Sequence, residues 1–479
     1  MLHHFEIFDA LLEAANRDGF RKGKRAMSSN PETVKIQELA RPSLARIMGL
    51  MLLLLWPLEL LRLIVSPPWL NNAAGLLFVI YLLLAFMVVR AGNRLLTAFL
   101  LLGIAGLVIA DEAWHLAMKG VQGSLVFAAF LPTVFLLRNA IAGDRRLLQY
   151  RERLEGIDPQ RQAGMMLVGG HVLGSTLTVG AFAVLAPVLP QDAGAARRRT
   201  VALVTMFGIS LSVLWSPVFV AMAVVSEFMP HVPLWQPILV GFTLGNIGIL
   251  MALAFLRLPD KLALVGRGIF ALRAIIPWVV IAALVIVLVR TFTSLSTLEA
   301  ASITLLPLAA GLLVSQAPDL RQRALRQTRE RLDQLGAEIS IVAWAFALGT
   351  VMRGSTTVEL LVQGLFGPDT AVLLLVTAIV AGMLIAVVIG GHPIVAASIM
   401  LAVFGSANTG LTDLVLCGAV LLGWACSSMM GPATLIVIVA SGMYRVDRSS
   451  LILSRNTLLN VMFALTGVVL LSVLNVLIS

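Results

Sequence analysis

Thirteen long apolar segments alternate with polar stretches along the chain, near 47–65, 73–89, 95–110, 122–137, 162–187, 200–228, 236–256, 274–290, 298–315, 338–353, 371–405, 413–442 and 456–478. Most reach or approach the roughly 20 residues that a helix needs to cross a bilayer. Strands of a transmembrane barrel give short alternating patterns instead. The pattern therefore predicts an all-α polytopic membrane protein. Its N-terminal 46 residues are polar and charged, and a short amphipathic helix is expected near 5–16.

Breakers interrupt four of these segments in a repeated order. Gly-Gly-His occurs at Gly169–His171 within 162–187, and again at Gly390–His392 within 371–405. The run from Gly208 to Ser226 then aligns without a gap on the run from Gly423 to Ser441. Ser212, Pro217 and Val224 fall on Ser427, Pro432 and Val439. A weaker echo pairs Thr133-Val134 with Thr350-Val351. Inside hydrocarbon every backbone polar group needs a partner, so a broken helix persists only where the freed backbone lines a cavity or meets a ligand. Proline removes one donor and frees a carbonyl one turn earlier. Paired breaks of this kind point to an inverted-repeat transporter and to the place of its site.

Charge placement sets the topology. The chain carries 35 Lys and Arg against 25 Asp and Glu, a net charge of +10. Nucleic-acid binding is not implied, because the cations sit in loops on alternate sides of the apolar segments. Reading 162–187 and 371–405 as re-entrant hairpins leaves eleven crossings. With the N-terminus inside, 31 of the 35 cations then fall on the cytoplasmic side, and only Arg62, Lys119, Arg290 and Arg353 lie elsewhere. That is the positive-inside pattern. It predicts a cytoplasmic N-terminus, an external C-terminus, and hairpins that open to opposite faces. Three regions follow: a cytoplasmic tail over 1–46, a first half over 47–256, and a second half over 257–479. Each half carries one hairpin and one broken helix. The basic stretch 316–337 is expected to be a solvated helix near lipid headgroups, away from the site.

Composition agrees. Hydrophobic residues make up 59% and charged residues 13%, against about 25% charged in a soluble domain. Cys417 and Cys426 share one apolar segment. As helical neighbours nine positions apart they would lie about 13 Å apart along the axis, too far for a disulfide. They read as small apolar fillers. There is no phosphate-binding glycine loop, zinc-ligand spacing or catalytic triad, so an enzyme is not expected. No cofactor is implied beyond sodium ions.

Candidate binding residues lie around the breakers. Gly174, Ser175, Thr176 and Thr178 place flexible backbone and hydroxyls near the first hairpin's tip, and Ser398 is the one hydroxyl near the second. Hydroxyls can coordinate sodium or donate to a carboxylate; the structural alternative is a bond to the preceding turn of their own helix. Ser212 and Ser427 precede Pro217 and Pro432 by about a turn. Ser216 and Thr434 flank the same breaks. His171 and His392 are the only histidines well inside apolar segments, candidates for a proton or an anion; the alternative is a neutral ring that stiffens the hairpin. Asp111, Glu112, Glu227, Glu299 and Glu338 all fall near segment ends, and no central Arg or Lys is expected to neutralise an anion.

This layout resembles the ion transporter superfamily, and within it the divalent anion:sodium symporters. In that family each hairpin tip carries Ser-Asn-Thr and is followed by a helix broken at a Thr-Pro-Pro-type loop. Gly174-Ser175-Thr176-Leu177-Thr178 is similar to the first tip. Leu214-Trp215-Ser216-Pro217 and Met430-Gly431-Pro432-Ala433-Thr434 resemble the two loops. The second tip departs: Gly391-His392-Pro393 stands near where Ser-Asn-Thr is expected, which bears on dicarboxylate specificity and on a second sodium site. The resemblance implies a homodimer, a scaffold domain and a transport domain. It also implies sodium between each tip and its broken helix, substrate between the tips, and an elevator-like motion.

The expected function is secondary active transport of a small anionic solute, such as an organic acid, driven by sodium or protons, in the lipid of a bacterial inner membrane. Two alternatives are an efflux antiporter of the same superfamily and a membrane-embedded component of an envelope assembly pathway. The second needs polar residues clustered at one membrane face, and none are evident.

Overall fold

The computed structural model describes residues 31–65, 67–89, 91–142, 159–190, 192–256, 266, 276–367, 370–406 and 409–479. All their regular elements are helical. Residues 48–479 form one compact unit. The amphipathic helix expected near 5–16 lies outside the described residues. The chain is helical from Pro31, so α1 (Pro31–Val65) begins within the stretch expected to be the tail, 1–46.

The first half continues with α2 (Pro68–Val88), α3 (Ala91–Asp111), α4 (Trp114–Gly123) and α5 (Phe127–Ala142). It goes on through α6 (Pro159–Leu177), α7 (Ala181–Leu185), α8 (Ala195–Ser212), α9 (Val220–Phe228) and α10 (Trp235–Phe255). The second half begins with α11 (Ile276–Phe292), α12 (Thr297–Val314), α13 (Pro318–Leu332), α14 (Gly336–Arg353) and α15 (Thr356–Leu365). It ends with α16 (Val372–Val388), α17 (Pro393–Ser406), α18 (Asp413–Met430), α19 (Leu435–Tyr444), α20 (Arg448–Ile452) and α21 (Arg455–Ile478).

Ten stretches among the described residues are long and apolar enough to cross a membrane. This is an integral, all-α membrane protein. One of the ten, Arg161–Val188, returns on itself and does not cross. Its first arm, α6, runs parallel to α8. Arg197 bonds Gln162 at one end, and a Cβ on Gly174 would lie 2.7 Å from Ser212 Oγ at the other. Parallel neighbours require the chain between them to come back to its starting side. The turn sits at Thr178, whose φ of 50° is left-handed, and α7 with its flanking 3-10 turns forms the return arm.

The second hairpin is built alike. A Cβ on Gly423 would meet Val380 and Met383, and one on Gly431 would meet Val387, so α16 runs parallel to α18. Between them α17 returns antiparallel to α16, with Gly382 facing Met400. Its tip turns at Gly390, φ 102°, a conformation that costs glycine nothing. The two helix–turn–helix units run from Pro159 to Val188 and from Val372 to Ser406.

Both broken helices form as well. An 18-residue α8 breaks before the nine-residue α9, and an 18-residue α18 breaks before the ten-residue α19. They lie antiparallel to each other. Arg199 bonds Ser450 O, Tyr444 bonds Thr205, and His231 pairs with Asp413, so numbers rise along one as they fall along the other. The hairpins consequently enter from opposite ends of the molecule. Beyond the nine remaining candidate spans, the broken helix 195–228 and the 17-residue α11 are further apolar stretches.

The register of the repeat is not the one the histidine triplets suggest. The breaks repeat at 215 positions (208 to 423) and the hairpin turns at 212 (178 to 390), whereas Gly-Gly-His repeats at 221 (169 to 390). The first triplet lies inside α6, where a Cβ on Gly170 would come 2.9 Å from Thr205 O. The second forms a tip. One serves helix packing and the other a turn.

Three of the four cations outside the cytoplasmic set have structural partners. Arg62 pairs with Glu59 at 2.6 Å. Arg290 donates to Pro230 O, and Arg353 to Phe228 O and Met229 Sδ. The last two satisfy carbonyls at the C-terminal end of α9, where cations are favoured. Cys417 and Cys426 are buried and free, as expected of fillers.

Candidate functional site

Break 1, residues 213–219 between α8 and α9, is buried and stitched to the first hairpin; break 2 is residues 431–434 between α18 and α19. Ser216, fully buried, donates its hydroxyl to Ser175 O and accepts from Val218 N–H at 3.3 Å. Ser212 lies against Gly174, where any side chain would collide with its Oγ. Gly174, Ser175, Ser212, Ser216 and Pro217 are thus brought together, with Thr176 beside them.

A cavity of about 20 Å³ adjoins this cluster, lined by Ser175, Thr176, Pro217 and Val218 on one side. Leu137 and Ile141 of α5, Ala282 of α11, and Leu308 and Leu312 of α12 close the other side. Room for about one water remains there. The cavity lies between residues of the first hairpin and break on one side and α5, α11 and α12 on the other.

The hydroxyl protons in this cluster are already used. Ser175 donates to Val172 O at 2.7 Å, Thr176 to Leu173 O at 3.2 Å and Ser212 to Ile209 O at 2.6 Å. In break 2, Ser427 donates to Trp424 O at 3.0 Å, and Thr434 shares its proton between Ser428 O and Gly431 O at 2.8 Å each. A hydroxyl has one donor and two acceptor lone pairs. These side chains thus keep lone pairs that suit a cation and have no proton left for a carboxylate. Thr178, buried at the tip, holds a left-handed φ that costs a β-branched residue about 1–3 kcal/mol.

The second half is more open. Pro432, Ala433 and Gly390 are exposed, and Ile389 is 80% exposed. His392 and Pro393 stand at the tip itself. Ser398 does not: it lies along the return arm, with its carbonyl 3.2 Å from where a Cβ on Gly349 of α14 would sit, and its buried Oγ has no partner. Among the described residues no hydrogen bond joins His392 or Ser398 to break 2.

Both histidines act as acceptors. His171 Nε2 accepts from Trp215 Nε1–H at 3.1 Å, and the rings lie 5.6 Å apart. His392 Nδ1 accepts the Ile394 N–H at 3.2 Å and so caps the N-terminus of α17. Each ring stiffens a hairpin, which is the structural alternative.

A glycine face on α10 completes break 1. Cβ atoms on Gly241 and Gly245 would lie 1.8 Å from Leu214 O and 3.3 Å from Leu211 O. Only glycine lets the broken backbone approach this closely.

Three charged groups differ from expectation. Glu59 lies inside a span, fully buried, with its charge paired to Arg62 one turn on. Arg138, assigned to a cytoplasmic loop by its position, lies within α5 and donates to Val218 O of break 1 at 3.3 Å. The basic stretch forms α13, but it is not remote. Thr328 accepts from Asn139 at 2.9 Å, and Arg331 stacks on the ring of Phe135 at 4.9 Å. Among the described residues no group of three or more His, Cys, Asp or Glu is placed to hold a metal ion.

No protein-family profile matches the chain, and no curated protein matches it. Among solved structures it is similar to the YdaH transporter of Alcanivorax borkumensis, whose crystal structure is described as having an unusual topology. The identity is 15%, the match covers 83% of this chain and 97% of that one, and the TM-score is 0.46.

Proposed function

We infer that the chain is a secondary active transporter for a small anionic solute such as an organic acid, coupled to sodium. One observation carries the reading: two antiparallel helices are broken at matching positions, and each is flanked by a hairpin entering from its own end. Such breaks place a cation-favouring C-terminus and an anion-favouring N-terminus side by side.

The spent hydroxyl protons of Ser175, Thr176 and Ser212 favour sodium at the first tip. The acceptor roles of His171 and His392 speak against proton carriage by these rings. The cavity facing α5, α11 and α12 suits a body that moves against a fixed one, in keeping with an elevator motion. A homodimer in a bacterial inner membrane with the N-terminus cytoplasmic belongs to the same reading.

The test is uptake into proteoliposomes of labelled acetate, succinate and citrate under an inward sodium gradient. Sodium-dependent accumulation of one of these anions is expected. Equal fluxes with sodium and with choline would reject sodium coupling. Loss of preloaded anion only under an opposing gradient would favour an efflux antiporter.

A further inference from the structure

The hydroxyls at break 1 have no proton to give an anion, so a carboxylate arriving there needs another donor. Arg138 is the cation placed to act. One of its Nη atoms reaches Val218 O at 3.3 Å, two residues before α9 begins. Its Nε is buried and has no partner. Its guanidinium carbon lies 5.0 Å over the Phe135 ring, which holds the side chain across the end of α5. Leu137 and Ile141, its neighbours on the same helix, line the cavity that Ser175, Thr176, Pro217 and Val218 close from the other side.

Among the described residues the charged groups that act on Arg138 are Arg331 and Glu338. Glu338 is ion-paired with Arg331, and both Arg138 and Arg331 stack on Phe135. Among these three groups two guanidiniums share one carboxylate. The N-terminus of the nine-residue α9 adds a partial positive charge next to the same carbonyl.

We propose that Arg138 is the residue that pairs with the anionic group of the transported solute, at the edge of the cavity between α5 and break 1. This rests on the anion-transport reading above. The guanidinium offers its unpartnered Nε–H and, once Val218 O is released, an Nη–H, a pair of parallel donors that matches a carboxylate. Because Arg138 lies on α5 and break 1 on the facing body, the pairing holds only in arrangements that keep these surfaces together.

Calorimetric binding to the purified full chain tests this with acetate, succinate, citrate, sulfate and phosphate, and with succinamide as a neutral counterpart. Arg138→Gln is expected to weaken the best anion by at least about tenfold. It should also abolish the preference for succinate over succinamide where wild type shows one. Arg138→Lys should recover part of the loss, and Arg326→Gln, which breaks only the exposed pair with Glu330, should stay within about twofold of wild type. Affinity of Arg138→Gln within about twofold of wild type overturns the proposal. So does a loss no larger than that of Arg326→Gln. If Arg138→Gln does not yield folded protein, Arg138→Lys decides: unchanged affinity together with an unchanged preference for succinate over succinamide overturns it, and weakened anion binding with an unaltered melting temperature supports it. A wild-type protein that binds none of the five anions fails the transport reading itself, a result distinct from any effect of Arg138.

Discussion

Gly241→Ala probes the contact that holds break 1 in place. A Cβ there would lie 1.8 Å from Leu214 O and 2.5 Å from Leu214 C. Restoring an ordinary contact of 3.4 Å needs about 1.6 Å of movement (3.4 minus 1.8). The obstacle is backbone, so no side chain can swing aside. Either α10 lifts from Leu211 and Leu214, or the break shifts and stretches the Trp215–His171 bond. Overpacking of this kind costs about 1–3 kcal/mol. The gain from replacing a helical glycine, about 0.5–1 kcal/mol, offsets part of it. Gly75→Ala and Gly311→Ala are the controls, because nothing lies within 4 Å of a Cβ at either position. Thermal melting in detergent should show Gly241→Ala below wild type and the controls at or above it. A Gly241→Ala protein melting with the controls would mean that α10 does not pack on the break, and the reasoning would fail.

Other substitutions separate the remaining contacts. Ser216→Ala leaves Ser175 O and Val218 N–H without their partner and should cost about 1–3 kcal/mol, read as a lower melting temperature with transport reduced further. Thr178→Gly relieves the left-handed φ and should raise stability while weakening the sodium dependence of uptake; a lower melting temperature would contradict the strain. Arg62→Met strands the buried Glu59 carboxylate and should destabilise by about 3–5 kcal/mol, whereas Glu59→Leu combined with Arg62→Met should lie close to wild type. Equal losses in the single and double variants would argue that the pair does more than neutralise itself.

The breaks were legible because Gly208, Pro217, Gly423 and Pro432 act on their own backbone, wherever the chain then packs. The hairpins were read from charge counting, since segments that return to the side they entered from keep 31 of 35 cations on one side. The Gly-Gly-His register misled because glycine has two uses. Gly170 serves close helix packing and Gly390 a left-handed turn, and the residue type does not tell them apart. Arg138 was hidden by a boundary: α5 continues to Ala142, so a residue that reads as loop sits on the helix beside break 1. The packing of α13 on α5 joins positions 189 residues apart, which no local pattern encodes. Glu59 was missed because Arg62, one turn later, makes the pair look like a polar interruption near a segment end.

Opposed hairpins are the core of the proposed mechanism, and sided labelling of single cysteines tests them most directly. Gly180→Cys and Ile389→Cys, exposed positions beside the two hairpin turns, are placed in otherwise cysteine-free protein in oriented membranes and treated with an impermeant thiol reagent from each face. The predicted result is that Gly180→Cys reacts from the cytoplasmic face and Ile389→Cys from the external face, each more slowly in the presence of a bound anion and sodium. Reaction of both from the same face, or rates that no anion alters, would contradict two hairpins that enclose one transport site.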